Sequence, residues 1–135
     1  TYEGFAAAWP EREQADDEAT AVFAKRFNSM PKYVVSTTLE EATWQNTTIL
    51  RSIDDVARLK DEIEGDILLH GSNTLVHGLL ERDLVDVLRL MIFPVILGSG
   101  KRIFPDDAED KRVFDLTDQR RYGSIVVHDY TRQAR

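Results

Sequence analysis

Residues 65–98, GDILLHGSNTLVHGLLERDLVDVLRLMIFPVILG, constrain this chain more than any other stretch. A short apolar run at 66–70 ends in Gly71 and Ser72, after which the apolar spacing changes from 2 to about 3.6 at Leu75, Leu79 and Leu80. A longer apolar run at 85–95 follows, broken by Arg89, and Pro94 leads into the turn Gly98-Ser99-Gly100. The order is strand, glycine turn, helix, strand, and two strands joined through a helix imply a right-handed parallel crossover. Ser72 or Asn73 is expected to cap the helix, since either side chain accepts a hydrogen bond from an amide two or three residues on. The unpaired N–H groups of that first turn offer a seat for a phosphate.

A chain of 135 residues is one domain by the usual size relation. Seventeen basic residues against twenty-four acidic leave a net charge of -7, which argues against non-specific binding of nucleic acid or an anionic membrane. The absence of cysteine removes disulfides, thiolate nucleophiles and thiolate metal sites; a reducing cytosol suits such a chain, and a cytoplasmic location is expected. No run approaches the roughly 18 apolar residues of a membrane span, and no basic-then-apolar leader precedes the first strand. His70, His77 and His128 show no metal spacing, and no Ser/His/Asp set has the nucleophile-elbow context.

Elsewhere the pattern alternates helices and strands. Phe5, Ala8 and Trp9 mark a short helix ended by Pro10, and the charged stretch 11–17 reads as loop. Ala19, Val22, Phe23, Phe27 and Met30 recur at helical spacing, with Asp16 or Asp17 as cap. KYVVS at 32–36 is a β-branched strand that runs into the hydroxyls of Ser36, Thr37 and Thr38. A brief strand at 47–50 precedes a helix capped by Ser52, in which Asp55 completes an acidic capping box and which Gly65 stops. Residues 101–104 read as a short extended piece and 106–110 as an acidic loop. Runs at 112–120 and 124–131 about Tyr122-Gly123 form a hairpin. Helices on the faces of a mixed sheet are the expected outcome, with the strand ends at Ser36 and His70 on one edge.

TYEGFAAAWP, NSMPKYVVSTTL, the long stretch from Gly65 to Phe104 and the closing hairpin together resemble the dihydrofolate-reductase-like superfamily. Within it they are most similar to stand-alone relatives of the reductase domain that forms the C-terminal half of the bifunctional riboflavin-biosynthesis deaminase/reductase. The resemblance implies a three-layer α/β/α sandwich about a mixed, mostly parallel sheet with a C-terminal antiparallel hairpin. It implies a single domain over 1–135 that lacks the family's opening strand and helix. It also implies NADPH as cofactor and a small heterocyclic substrate, either a ribosylated aminopyrimidine or a pterin-like compound, reduced by a likewise cytoplasmic enzyme.

Carried over residue by residue, Gly71, Ser72, Asn73, Thr74 and Leu75 resemble the pyrophosphate-binding turn and helix start. Ser36, Thr37 and Thr38 resemble the edge that holds the adenosine ribose and its 2'-phosphate, and Thr1 and Tyr2 begin the helix beside the cofactor. The arginine that usually precedes that pair in the family is not in this sequence, which leaves Arg51 or Lys32 as the cation for a 2'-phosphate, Arg51 being better placed. Ser72 stands where dihydrofolate reductases have a second glycine. No deaminase zinc motif is present, so the stand-alone reductase is favoured.

Each of these residues has a plainer reading. Gly71 and Ser72 suit an ordinary βα turn, the three hydroxyls an ordinary strand exit, and His70 a packed ring. Arg89, with Pro94 and Gly98, is expected at the substrate cleft; Arg89 can equally snorkel from a strand edge, and the apolar flank of Pro94 can pack across a homodimer. No proton donor is assignable. Two other functions fit the same residues: a non-catalytic nucleotide-binding or regulatory domain, and a structural dimerisation module.

Overall fold

A computed structural model describes residues 1–104 and 111–133. The chain divides into two compact units, Thr1–Ser72 and Asn73–Arg135. The architecture is mixed α/β, as the alternation of periods requires. The acidic loop expected at 106–110 lies outside the described residues.

The first unit begins with α1 (Tyr2–Ala8), a 3₁₀ turn (Glu11–Gln14) and α2 (Glu18–Ser29). The charged stretch after Pro10 is therefore part helical turn and not wholly loop: Pro10 presets the φ of a turn, and Arg12 N–H donates back to the Trp9 carbonyl. Asp17 caps α2 by accepting from the Thr20 amide at 2.8 Å. β1 (Lys32–Val35) and β2 (Thr47–Leu50) pair in parallel with Lys32 opposite Thr47 and Val35 opposite Leu50. α3 (Ile53–Glu62) starts in the predicted capping box, Ser52 and Asp55 exchanging side-chain-to-backbone bonds. The helix ends at extended Ile63, and Gly65 follows at φ 105°.

The core of this unit is aromatic. Phe27 stacks edge-on with Phe5, Trp9, Trp44 and His70 at centroid separations of 6.0, 5.2, 5.2 and 5.3 Å. Beneath these rings lies Asn28, only 1% exposed. Its Nδ2 donates to the Trp9 carbonyl and to Glu13, and its Oδ1 accepts from Trp44 Nε1 at 2.8 Å. A buried amide so fully used ties four segments to one point.

The second unit consists of α4 (Asn73–Glu81) and the antiparallel sheet of β3 (Val87–Ile92), β4 (Phe114–Tyr122) and β5 (Ile125–Arg132), in the order β3-β5-β4. Gly123 takes φ 59° in the two-residue turn between β4 and β5, where a side chain would be strained. A bulge between Leu116 and Asp118 shifts the register of β4 against β5. Leu79, Leu80 and Val127 are buried.

Three expectations are corrected. Residues 66–70 form no strand among the described residues, and Leu68 is 63% exposed. A strand exists only through a ladder partner, which an apolar run does not guarantee. The parallel crossover expected from that run is consequently absent among the described residues, and β3 pairs antiparallel with β5, Arg89 opposite Asp129. Residues 101–104 are likewise irregular; they are tied to α4 by Asn73 Nδ2, which donates to the Arg102 carbonyl at 3.0 Å, and by His77 Nε2, 2.9 Å from the Ile103 carbonyl. Since a carbonyl only accepts, His77 carries its proton on Nε2.

Candidate functional site

The candidate residues of the first unit fall into two groups. The first gathers around Arg51, just past β2. Ser36 N–H donates to the Leu50 carbonyl, extending the β1–β2 pairing by one residue. The chain then folds back: Ser36 Oγ accepts from the amides of Thr38 and Leu39 at 3.3 and 3.0 Å. Arg51 Nη1 donates to the carbonyls of Ser36 and Leu39 at 3.0 and 2.7 Å, pinning both ends of that turn. Asp55 Oδ2 accepts from the Arg51 amide at 2.8 Å, and Asp55 Oδ1 pairs with Arg58. These bonds, the Arg51 amide first, hold the Asp55 carboxyl below the usual carboxylate range.

The donor set that results is suited to an anion. Arg51 is exposed, and among the described residues its Nε and Nη2 make no further hydrogen bond. Thr37 and Thr38 are exposed on the same turn. Ser36 Oγ, by contrast, is occupied in forming the turn, so its part in ligand binding is to shape it. Lys32 is occupied as well. Its ammonium caps the end of α2 through the carbonyls of Asn28 and Met30 and lies over the Trp44 ring at 4.6 Å. Arg51 is thus the candidate cation of this group.

The second group surrounds Gly71. Trp44 N–H donates to the Tyr2 hydroxyl at 3.0 Å, Trp44 packs on Phe27, and Phe27 on His70. A Cβ on Gly71 would lie 4.0 Å from Thr1 Cγ2. Thr1, Tyr2 and Gly71, separated by about half the chain, are thereby brought together through the aromatic core. Gly71 and Ser72 both adopt left-handed backbone, φ 69° and 61°. This geometry is natural for Gly71 and strained for Ser72, and it is not the extended conformation of a helix cap. Ser72 is therefore a turn residue, and Asn73, bonded to Arg102, opens α4 together with Thr74 and Leu75.

In the second unit Arg89 is committed to an ion pair. Its Nε and Nη2 hold the two oxygens of Asp129 at 2.6 and 2.8 Å, and Arg120 approaches the same carboxylate from β4. The bidentate pair keeps the Asp129 carboxyl below its usual range and raises Arg89. The ion pair accounts for a charge within an apolar strand without a ligand. Pro94 and Gly98 lie in an irregular stretch, with Gly98 at φ 75° and Ile96 fully exposed. Sequence reasoning missed Asn28, the Leu39 carbonyl and Asp129. Only Asp55 carried a signal, its place in the capping box. Among the described residues no cluster of His and acidic side chains is arranged to hold a metal, and no helix is long and apolar enough to cross a membrane.

Comparison with known proteins adds the following. The family described as "RibD C-terminal domain" matches residues 3–127, across both units. The uncharacterized protein YyaP of Bacillus subtilis (strain 168) is 34% identical over 119 residues, which cover 87% of this chain and 62% of YyaP. The uncharacterized protein YwjB of the same organism is 30% identical over 76 residues, covering 56% of this chain and 43% of YwjB. The chain therefore spans less than two thirds of either relative. Among solved structures, a protein of Shewanella sp. PV-4 described as "Putative riboflavin biosynthesis protein" shares the fold, with a TM-score of 0.61 and 21% identity over 87% of this chain and 71% of that one.

Proposed function

Because this chain belongs to the RibD C-terminal domain family, the reductase-domain family of riboflavin biosynthesis, we propose that it is an NADPH-dependent reductase of a small heterocyclic substrate. A ribosylated aminopyrimidine or a pterin-like compound is the substrate class this reading takes. The observation that carries the cofactor half is the Arg51 turn. Two backbone carbonyls orient the guanidinium in advance, and the donors left over match a phosphomonoester, so NADPH is preferred to NADH. In this reading Arg51, Thr37 and Thr38 hold the 2'-phosphate on a turn shaped by Ser36. Gly71 and Ser72 hold the pyrophosphate, with Thr1 and Tyr2 beside them. Strain at Ser72 fits a turn kept for a ligand.

NADPH when bound supplies a hydride to the acceptor carbon. The protein's share is to bind, orient and exclude water, which is the larger part of catalysis for such a transfer. Pro94 and Gly98 stand as walls of the substrate pocket. Arg89 serves by steadying β3 through Asp129. A cytoplasmic homodimer is the form in which we expect the enzyme to work.

The test is a titration of NADPH and NADH followed by tryptophan fluorescence and melting temperature. Saturable binding that favours NADPH is expected. Arg51→Gln is expected to weaken NADPH at least about tenfold, roughly one charge-assisted contact, while changing NADH about twofold or less. Arg51→Lys keeps the charge without the two-carbonyl clamp and falls between. A folded protein that binds neither nucleotide at millimolar concentration overturns the reading.

A further inference from the structure

Charge at the Arg51 turn does not balance a phosphate through Arg51 alone. A phosphomonoester carries about 1.5 to 2 negative charges at pH 7. Arg51 supplies one positive charge, and its Nη1 is already spent on the carbonyls of Ser36 and Leu39. The Asp55 carboxylate at its backbone offsets even that charge. A further arginine stands close by. Asp55 links it to Arg51: Oδ2 accepts from the Arg51 amide at 2.8 Å and from the Ser52 amide at 2.9 Å, while Oδ1 takes Nη2 of Arg58. The Arg58 side chain is 68% exposed, and among the described residues its Nε and Nη1 make no hydrogen bond.

We propose that Arg58 is the second cation of this site and a determinant of the preference for NADPH over NADH, an inference that rests on the reading of the Arg51 turn as the seat of the 2'-phosphate. On binding, the Arg58 guanidinium turns from Asp55 to the phosphate, whose larger charge draws it more strongly than a carboxylate does. Leaving Asp55 costs little. The pair is an exposed bridge three residues apart on one helix, a class worth little in water. Asp55 owes its lowered pKa first to the Arg51 amide, and the charge of Arg58 is the smallest of the causes that lower it. The carboxylate therefore stays ionised and the start of α3 stays closed when Arg58 departs. The two arginines divide the work: Arg51, clamped by two carbonyls, fixes where the phosphate sits, and Arg58, held at one end only, follows it. A nucleotide without the 2'-phosphate leaves Arg58 on Asp55, so NADH gains nothing from it.

Titration of NADPH and NADH into the full chain, at about 50 and about 300 mM NaCl, tests this. Arg58→Gln is expected to weaken NADPH about fivefold at the lower salt and to change NADH less than about twofold. Its NADPH affinity is also expected to depend less steeply on salt than that of the wild-type chain. Arg58→Lys keeps the charge and is expected to recover most of the loss. Contact with the phosphate is separated from a mere hold on Asp55 by making Arg58→Gln in an Asp55→Asn chain, its folding checked by circular dichroism. An arginine that touches the phosphate still costs NADPH about fivefold when removed there. A loss that vanishes in the Asp55→Asn chain overturns the proposal, and so does a loss shared equally by NADPH and NADH. Should Asp55→Asn fail to fold, the salt dependence of Arg58→Gln decides. A wild-type chain that prefers NADPH while Arg58→Gln binds it equally well refutes the role of Arg58 alone; a folded wild-type chain that binds neither nucleotide overturns the reductase reading with it.

Discussion

At the scale of the residue, two buried polar side chains carry more than their size suggests. Asn28 joins α1, the 3₁₀ turn, α2 and Trp44 through three hydrogen bonds in the core. Replacing it by alanine leaves Trp44 Nε1 without a partner and the Trp9 carbonyl with the Arg12 amide alone. We expect Asn28→Ala to cost about 3 kcal/mol in urea unfolding, the upper range for stranded buried groups. Asp129 is the other case. The folded state lowers its pKa, so its contribution is whole at neutral pH and fades as pH falls below about 4, through the lowered value. Asp129→Asn is therefore expected to destabilise the protein at pH 7 and to flatten the acid limb of its stability curve below pH 4. Neither residue was legible beforehand. An asparagine at a helix end reads as a terminator, and an aspartate in a strand reads as surface, because the partners that make them structural lie 16 and 40 positions away.

At the scale of the element, local chemistry was a dependable guide wherever its donors and acceptors lie within one turn. Asp17 and Ser52 cap the helices that follow them, Pro10 ends the first helix, and Gly123 turns the hairpin. The capping box can be tested directly: Ser52→Ala is expected to lower stability by about 1 kcal/mol, measured by thermal or urea unfolding. The same change removes the hydroxyl that accepts from the Asp55 amide and so loosens the start of the helix whose Asp55 carboxylate fixes the Arg51 amide; NADPH affinity is expected to fall with it. Periodicity alone misled at 66–70. Apolar residues there match a strand as well as those of β1 do, yet β1 has β2 beside it and 66–70 has no ladder among the described residues. Ser72 misled for a related reason: its side chain suits a cap, while the left-handed backbone at φ 61° makes it part of the turn.

At the scale of the whole molecule, protection should follow hydrogen-bonded neighbours more closely than hydrophobicity. β5 is paired on both sides and should hold the slowest-exchanging amides of its unit, whereas 66–70 and 93–100 should exchange early despite their apolar composition. Hydrogen exchange read by mass spectrometry checks this order; early exchange in β5 would contradict the topology. The sequence by itself determined the helices, the caps at Asp17 and Ser52, the two short strands of the first unit, the hairpin and the family, because each rests on bonds between near neighbours or on a motif read along the chain. Only the tertiary structure decided that Arg51 clamps the turn after β1, that Thr1 comes to rest by Gly71, and that Arg89 answers Asp129. Those are meetings between residues far apart in the chain, and whether a charge is spent or left available depends on which distant carbonyl or carboxylate folding brings to it.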